Sequence, residues 1–259
     1  MGIVKRLDLW QAEIIGSGNL EIAHQHLKIG SVIGAFNHPF PGDVLWTLVT
    51  CLQALQNNTQ HLLTPVAMGQ IDFKRALRDL WRGKQQTRTQ ALNVLRNCFA
   101  FRGGAWSIGA ESIPVIQPFD MGIYGRKETR TNWEYLFGRG TEMLTKPGTL
   151  LVISPEGDRS RDGQLQRAGR GFVALWERAG PDCLCLPLGV SLQGQSQGLN
   201  IRGEVMVQAG PPVRLQDMSS NYPGERISAR EEKEITDTFM RDYLAPLLPP
   251  EQRGYYQRW

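Results

Sequence analysis

Apolar and polar positions fall along this chain in short blocks of changing period. Residues 30–36 form an apolar run bounded by glycine, the pattern of a strand covered on both faces. A Pro/Gly loop, His38-Pro39-Phe40-Pro41-Gly42, interrupts it. An apolar-periodic segment then runs from Asp43 to about Leu55, with Asp43 where a helix N-cap belongs. Leu62 to Met68 predicts a second strand. Ile113 to Ile116 and Met121 to Tyr124 predict short strands, and Trp133 to Leu144 predicts a helix stopped by Lys146-Pro147-Gly148. Thr149 to Ser154 predicts a buried strand that runs into Pro155-Glu156-Gly157, followed by a helix from about Leu165 to Arg178. Cys183 to Ser191 and Leu199 to Gln208 read as strands and Glu225 to Leu244 as a charged helix. The tail, Pro249 to Trp259, is polar and aromatic.

Strands alternating with helices imply an α/β fold: a mixed, largely parallel central sheet flanked by helices. The 259 residues, 41% of them hydrophobic, suffice for one large domain or two small ones, and the reading taken is a single domain over residues 1–259. Residues 72–102 stand apart as two basic amphipathic helices. Leu77, Leu80 and Trp81 mark one apolar stripe and Leu92, Leu95 and Phe99 another, among Lys74, Arg75, Arg78, Arg82, Lys84, Arg88, Arg96 and Arg102.

Charge and cysteine usage narrow the class. Net charge is +4 and the isoelectric point is near 9.0, which favours anionic partners. No zinc finger, RNA-binding signature or Lys/Arg tail is present, so nucleic acid is not expected. Cys51, Cys98, Cys183 and Cys185 have neither metal spacing nor a disulfide framework, and Cys183 and Cys185, two apart in an apolar run, read as buried free thiols. No apolar run reaches the roughly 18 residues of a membrane span. Lys5, Arg6, Asp8 and Glu13 break the weakly apolar N-terminus, which lacks the apolar centre of a signal peptide. The expected location is the cytoplasmic side of a membrane, peripherally bound, with no transmembrane helix.

Two blocks carry candidate chemistry. In the first, His38 ends a strand and Asp43 opens a helix. An acid bonded to one imidazole nitrogen fixes the tautomer, leaving the other nitrogen to take a proton from a hydroxyl. The alternative is that Asp43 only caps its helix and His38 only caps the loop. The second block, Pro155-Glu156-Gly157-Asp158-Arg159-Ser160-Arg161-Asp162-Gly163, follows a buried strand, at the sheet edge where α/β folds bind ligands. Its glycines allow close backbone approach and its arginines offer planar forks for phosphate. The alternative there is a solvated turn whose Arg and Asp pair among themselves.

Together and in this order, Asn37-His38 through Asp43 and Pro155-Glu156-Gly157 with Arg159-Ser160 resemble the signatures of the PlsC-like glycerolipid acyltransferases. Leu186-Pro187-Leu188-Gly189-Val190 resembles that family's apolar strand bearing a proline, and Met121 to Arg126 resembles its Gly-x-Ile-Phe-x-x-Arg block loosely. The resemblance spans about residues 30–191. It implies that His38 is the general base, Asp43 its orienting partner, Arg159 the phosphate ligand of the acceptor with Arg126 assisting, and that Glu156 and Gly157 shape the acceptor site. Pro187 would support the acyl side. The implied donor is an acyl-CoA or acyl-carrier-protein thioester, and the implied acceptor a lysophospholipid, in the first place 1-acylglycerol 3-phosphate. No metal and no further cofactor is implied. Ser154 stands where the family has an aromatic residue, Asp158 replaces a threonine, the interval from His38 to Glu156 is long, and the lysine between the first two blocks has no counterpart. These departures bear on the acceptor more than on the reaction. A non-catalytic lipid-binding protein of the same fold, and an acyltransferase for another lipid acceptor, are the alternatives. A serine hydrolase is disfavoured because no Gly-x-Ser-x-Gly elbow is present.

Overall fold

A short strand, β1 (Ala12–Ile15), leads through helix α1 (Ser17–His26) into β2 (Ser31–Phe36). Strands β3 (His61–Ala67) and β4 (Ala110–Val115), helix α2 (Met121–Leu144), β5 (Thr149–Ile153) and α3 (Gly171–Ala179) follow. The chain continues with the long hairpin of β6 (Cys183–Gln197) and β7 (Asn200–Ala209), the short β8 (Val213–Arg214) and helix α4 (Ala229–Phe239). A π turn over Met240–Leu244 and 3-10 turns over Ala245–Leu247, Pro250–Gln252 and Gly254–Arg258 close it. This computed structural model describes residues 12–39, 58–67, 109–116, 121–157, 160, 162–197, 200–219 and 222–258, together with Leu55, Leu77, Leu80, Trp81 and Leu92.

The chain divides into two compact units, one formed by Met1–Leu62 with Gly140–Trp259 and the other by Leu63–Arg139. In the first, the strand order is β1-β7-β6-β2-β5, with β8 on β6. Strand β2 is central and runs parallel to both neighbours, Val32 opposite Leu150 of β5 and Phe36 opposite Leu188 of β6. β1 is parallel to β7, while β7 and β8 run antiparallel to β6. The sheet is mixed, mostly parallel and flanked by helices, as the alternation of strand and helix patterns predicts. All six residues of β2 are buried, which accounts for its unbroken apolar run.

Helix α3 packs Phe172, Val173, Leu175 and Trp176 into the core. The Phe172, Trp176 and Phe239 rings pack mutually, with centroids 5.1 to 6.2 Å apart, and the Trp176 Nε1–H donates to the Cys183 carbonyl at 3.0 Å. Cys183 and Cys185 are buried free thiols. Burial pushes the Cys183 thiol up to about 12 and Cys185 well above its ordinary value. Cys51 and Cys98 lie outside the described residues.

In the second unit the first part of α2 is stapled to β4. The Asn132 amide accepts from the Ile116 N–H at 2.7 Å and donates to the Pro114 carbonyl at 2.9 Å. Arg139 donates to both oxygens of Glu111, at 2.9 and 2.7 Å. Met121 to Tyr124, expected as a strand, is instead the opening of α2; a four-residue apolar stretch carries no decisive period. A non-helical residue, Gly125 (φ 79°, ψ 161°), separates this opening from the rest of α2. The helix expected from Leu165 begins only at Gly171. The backbone N–H groups of Leu165, Gln166 and Gly169 are engaged by other segments, to Gln252, Glu156 and Pro155 respectively. The two basic helices over residues 72–102 fall outside the described residues except Leu77, Leu80, Trp81 and Leu92, and the helix from Asp43 does so except Leu55. Among the described residues no helix is long and apolar enough to cross a membrane.

Candidate functional site

Because β2 and β5 are neighbouring parallel strands, their C-terminal ends open on one edge of the sheet. β2 runs out into Asn37-His38 and β5 into Ser154-Pro155-Glu156-Gly157. Two blocks 118 residues apart in sequence thereby meet: the His38 N–H donates to Glu156 Oε1 at 3.2 Å. The Ser160 N–H donates to the His38 carbonyl at 2.9 Å. Both main-chain polar groups of His38 are therefore held by the second block. The other Glu156 oxygen, Oε2, accepts from the Gln166 N–H at 3.1 Å. One carboxylate joins two chain segments, each through a charge-assisted bond. Gly157 closes the turn with φ 73°, a left-handed conformation that a side chain would strain, and its N–H donates to the Ser154 carbonyl at 3.1 Å.

The turn beyond is organised by Asp162. Its Oδ1 accepts from the Ser160 hydroxyl at 2.8 Å, the Gln164 N–H at 3.1 Å and the Gln166 side-chain amide at 3.3 Å. The Ser160 hydroxyl, and next the Gln164 N–H, hold the Asp162 carboxyl below its ordinary value. Ser160 itself is buried. Asn37, also buried, donates to the Val190 carbonyl at 2.8 Å and accepts from the Val190 N–H at 2.6 Å. Its amide thus prolongs the β2–β6 pairing beyond Phe36. The half-buried His38 sets its ring 6.0 Å from that of Phe36, tilted by 56°. Pro187 is buried on β6 opposite Ala35, and its carbonyl accepts from the Gly210 N–H at 2.9 Å.

Of the residues singled out in the sequence, His38, Glu156 and Gly157 are brought to this edge. Asp43 and Arg159 lie outside the described residues, as do Asp158 and Arg161. Arg126 is in the second unit, exposed, one position past the helix break at Gly125. Ser154 Oγ is buried and has no hydrogen-bond partner among the described residues. Among the described residues, no group of three or more His, Cys, Asp or Glu side chains is placed to hold a metal ion. Asn37, Ser160 and Gln166 have roles that the sequence does not show. Two of these act through main-chain N–H groups, which leave no trace in residue identity.

No family model matches the chain, and no curated protein matches it. Among solved structures it is similar to the crystal structure of the 1-acyl-sn-glycerophosphate (LPA) acyltransferase PlsC from Thermotoga maritima, at 14% identity and a TM-score of 0.46, over 90% of this chain and 72% of that one. At that identity and score the likeness carries no functional weight; the chemistry rests on the site.

Proposed function

We propose that the protein is an O-acyltransferase of the glycerolipid type, moving a fatty acyl group from an acyl-CoA or acyl-carrier-protein thioester to the hydroxyl of a lysophospholipid, in the first place 1-acylglycerol 3-phosphate. One observation carries the reading. The Asn37-His38 block and the Pro155-Glu156-Gly157 block, whose order resembles an acyltransferase signature, occupy the ends of adjacent parallel strands and bond to one another. In this reading His38 takes the acceptor proton as the acceptor oxygen attacks the thioester carbonyl. A C–O bond forms, the C–S bond breaks, and the imidazolium returns its proton to the departing thiolate. Asp43 fixes the imidazole tautomer. Arg159 takes the acceptor phosphate. General-base help of this kind contributes about 10²–10⁴-fold.

Thiol release from one acyl-CoA against a panel of lyso-lipid acceptors tests the proposal. Acceptor-dependent release is expected, lost in folded His38→Ala, with Arg159→Ala raising the KM for a phosphate-bearing acceptor more than that for the donor. Release without acceptor would make the protein a thioester hydrolase. Near-normal turnover in folded His38→Ala would remove the mechanism. No release with any acceptor, beside intact lipid binding, would leave a non-catalytic lipid-binding protein.

The substrates place this chemistry at a membrane surface. We propose that residues 72–102 dock the protein on anionic lipid, and the described side chains there support this: Trp81 is 82% exposed and Leu92 55% exposed, amid a run of Lys and Arg.

A further inference from the structure

The loop from Leu165 to Gly169 is bonded on two sides, nearly residue by residue. Toward the C-terminal tail, the Leu165 N–H donates to the Gln252 carbonyl at 2.8 Å and the Leu165 carbonyl accepts from the Tyr255 N–H at 3.0 Å. The Ala168 N–H donates to the Tyr256 hydroxyl oxygen at 3.1 Å. Toward the second block, the Gln166 N–H donates to Glu156 and the Gly169 N–H donates to the Pro155 carbonyl at 3.0 Å. Residues 165 and 168 thus bond to the tail, and residues 166 and 169 to the site.

The tail is itself anchored. The Tyr256 hydroxyl donates to Asp237 Oδ1 of α4 at 3.0 Å. Burial holds this phenol protonated far above the ordinary tyrosine range, so it stays a donor at working pH. Leu165, Ala168 and Tyr256 are all buried. Gly254 lets the two segments cross: its φ is 46°, and a β-carbon there would lie 2.4 Å from the Leu165 carbonyl oxygen. The Arg167 guanidinium lies 5.9 Å above the Tyr255 ring.

We propose that the C-terminal segment, residues 250–256, is a strap that positions His38, acting through the Leu165–Gly169 loop and the Glu156 carboxylate. Glu156 meets the His38 N–H with one oxygen and the Gln166 N–H with the other, so the direction of its carboxylate is set by where the loop sits. The tail sets the loop. A loosened strap turns the carboxylate, frees the His38 N–H and lets the imidazole drift. A catalytic group displaced by about 1 Å can lose on the order of 100-fold in rate. Glu156, Gly254 and Tyr256 are positioning residues in this account, which rests on His38 being the base of the proposed acyl transfer.

Tyr256→Phe tests it, since it keeps the buried ring and removes only the hydroxyl. Amide hydrogen exchange at His38 and Ser160 should rise about tenfold while that of Val32 to Ala35 is unchanged. Acyl transfer should lose kcat by about tenfold, with the KM for donor and acceptor held within about twofold. Glu156→Gln sets an amide N–H₂ against one of the two N–H donors and should give the same pair of changes. The double variant should be scarcely worse than either single one, because both break one relay. Ser228→Ala, which removes the side-chain cap of α4, controls for lost stability and should leave exchange at His38 unaltered. If Tyr256→Phe does not fold, Tyr255→Ala strips the more exposed ring beneath Arg167 and should move His38 exchange and kcat the same way, by less. Unchanged His38 exchange in a folded strap variant, multiplying effects in the double variant, or a loss confined to KM would each overturn the proposal. Should the wild-type protein transfer no acyl group, the function proposed above fails, and the exchange measurement still decides the strap.

Discussion

Asn37 is buried, and both ends of its amide meet a single residue, Val190, as a backbone peptide would. Removing it leaves a buried N–H and a buried carbonyl without partners, each costing about 1–3 kcal/mol. Asn37→Ala should therefore lower the urea midpoint clearly. Asn37→Asp should lower it more, because an ionised oxygen would face the Val190 carbonyl in a buried place. An Asn37→Asp midpoint equal to wild type would show that the bridge contributes nothing. The same residue marks how far a sequence speaks. His38 is legible as a candidate base because a histidine at a strand end, five residues before an acid, has a chemical reading of its own. Asn37 has none, since its partner lies 153 residues away. Glu156 is intermediate: its place in a motif is visible, while its bonds to two main-chain N–H groups are not, because every residue but proline carries such a group.

Elements follow the same division. β2, β5 and β6 are legible as unbroken apolar runs because both faces of a central parallel strand are covered. β1 and α1 leave no legible pattern in the sequence: α1 buries only Leu20 and Ala23, too few apolar positions to set a period. The pattern from Leu165 overstates helix α3, because the residues before Gly171 give their backbone bonds to the tail and to the site. What α3 does contribute is Trp176, fully buried between Phe172 and Phe239 and hydrogen-bonded to the Cys183 carbonyl. Trp176→Ala should cost about 3–5 kcal/mol, the range for emptying an aromatic site in a core. Trp176→Phe refills most of that volume and strands one carbonyl, so its cost should lie well below that of the alanine variant. Chemical denaturation of the two proteins checks the order. Equal losses would mean that the hydrogen bond, and not the packing, dominates.

For the molecule as a whole, the proposed lipid acceptor requires a surface that can meet a bilayer, and among the described residues no helix is long and apolar enough to cross one. The net charge of +4 is modest, but eight of the basic residues fall within residues 72–102, beside side chains that an ordinary amphipathic helix would bury. Trp81, Leu92 and Leu77 are exposed by 82%, 55% and 37%. Their pattern on the sequence is equally that of a stripe packed on a sheet, and exposure at these positions favours the lipid-facing alternative. The two contributions have different salt signatures. Basic side chains near an anionic surface contribute on the order of 1 kcal/mol each and are screened by salt, while an inserted indole is not. Co-sedimentation of the full chain with phosphatidylglycerol/phosphatidylcholine vesicles should therefore show binding that falls with salt. Changing Arg78, Arg82 and Arg88 to Gln should weaken it on the order of 100-fold at low salt and little at high salt. Trp81→Ser should weaken it at every salt concentration. If binding survives both sets of changes, residues 72–102 do not dock the protein, and a different surface must meet the membrane.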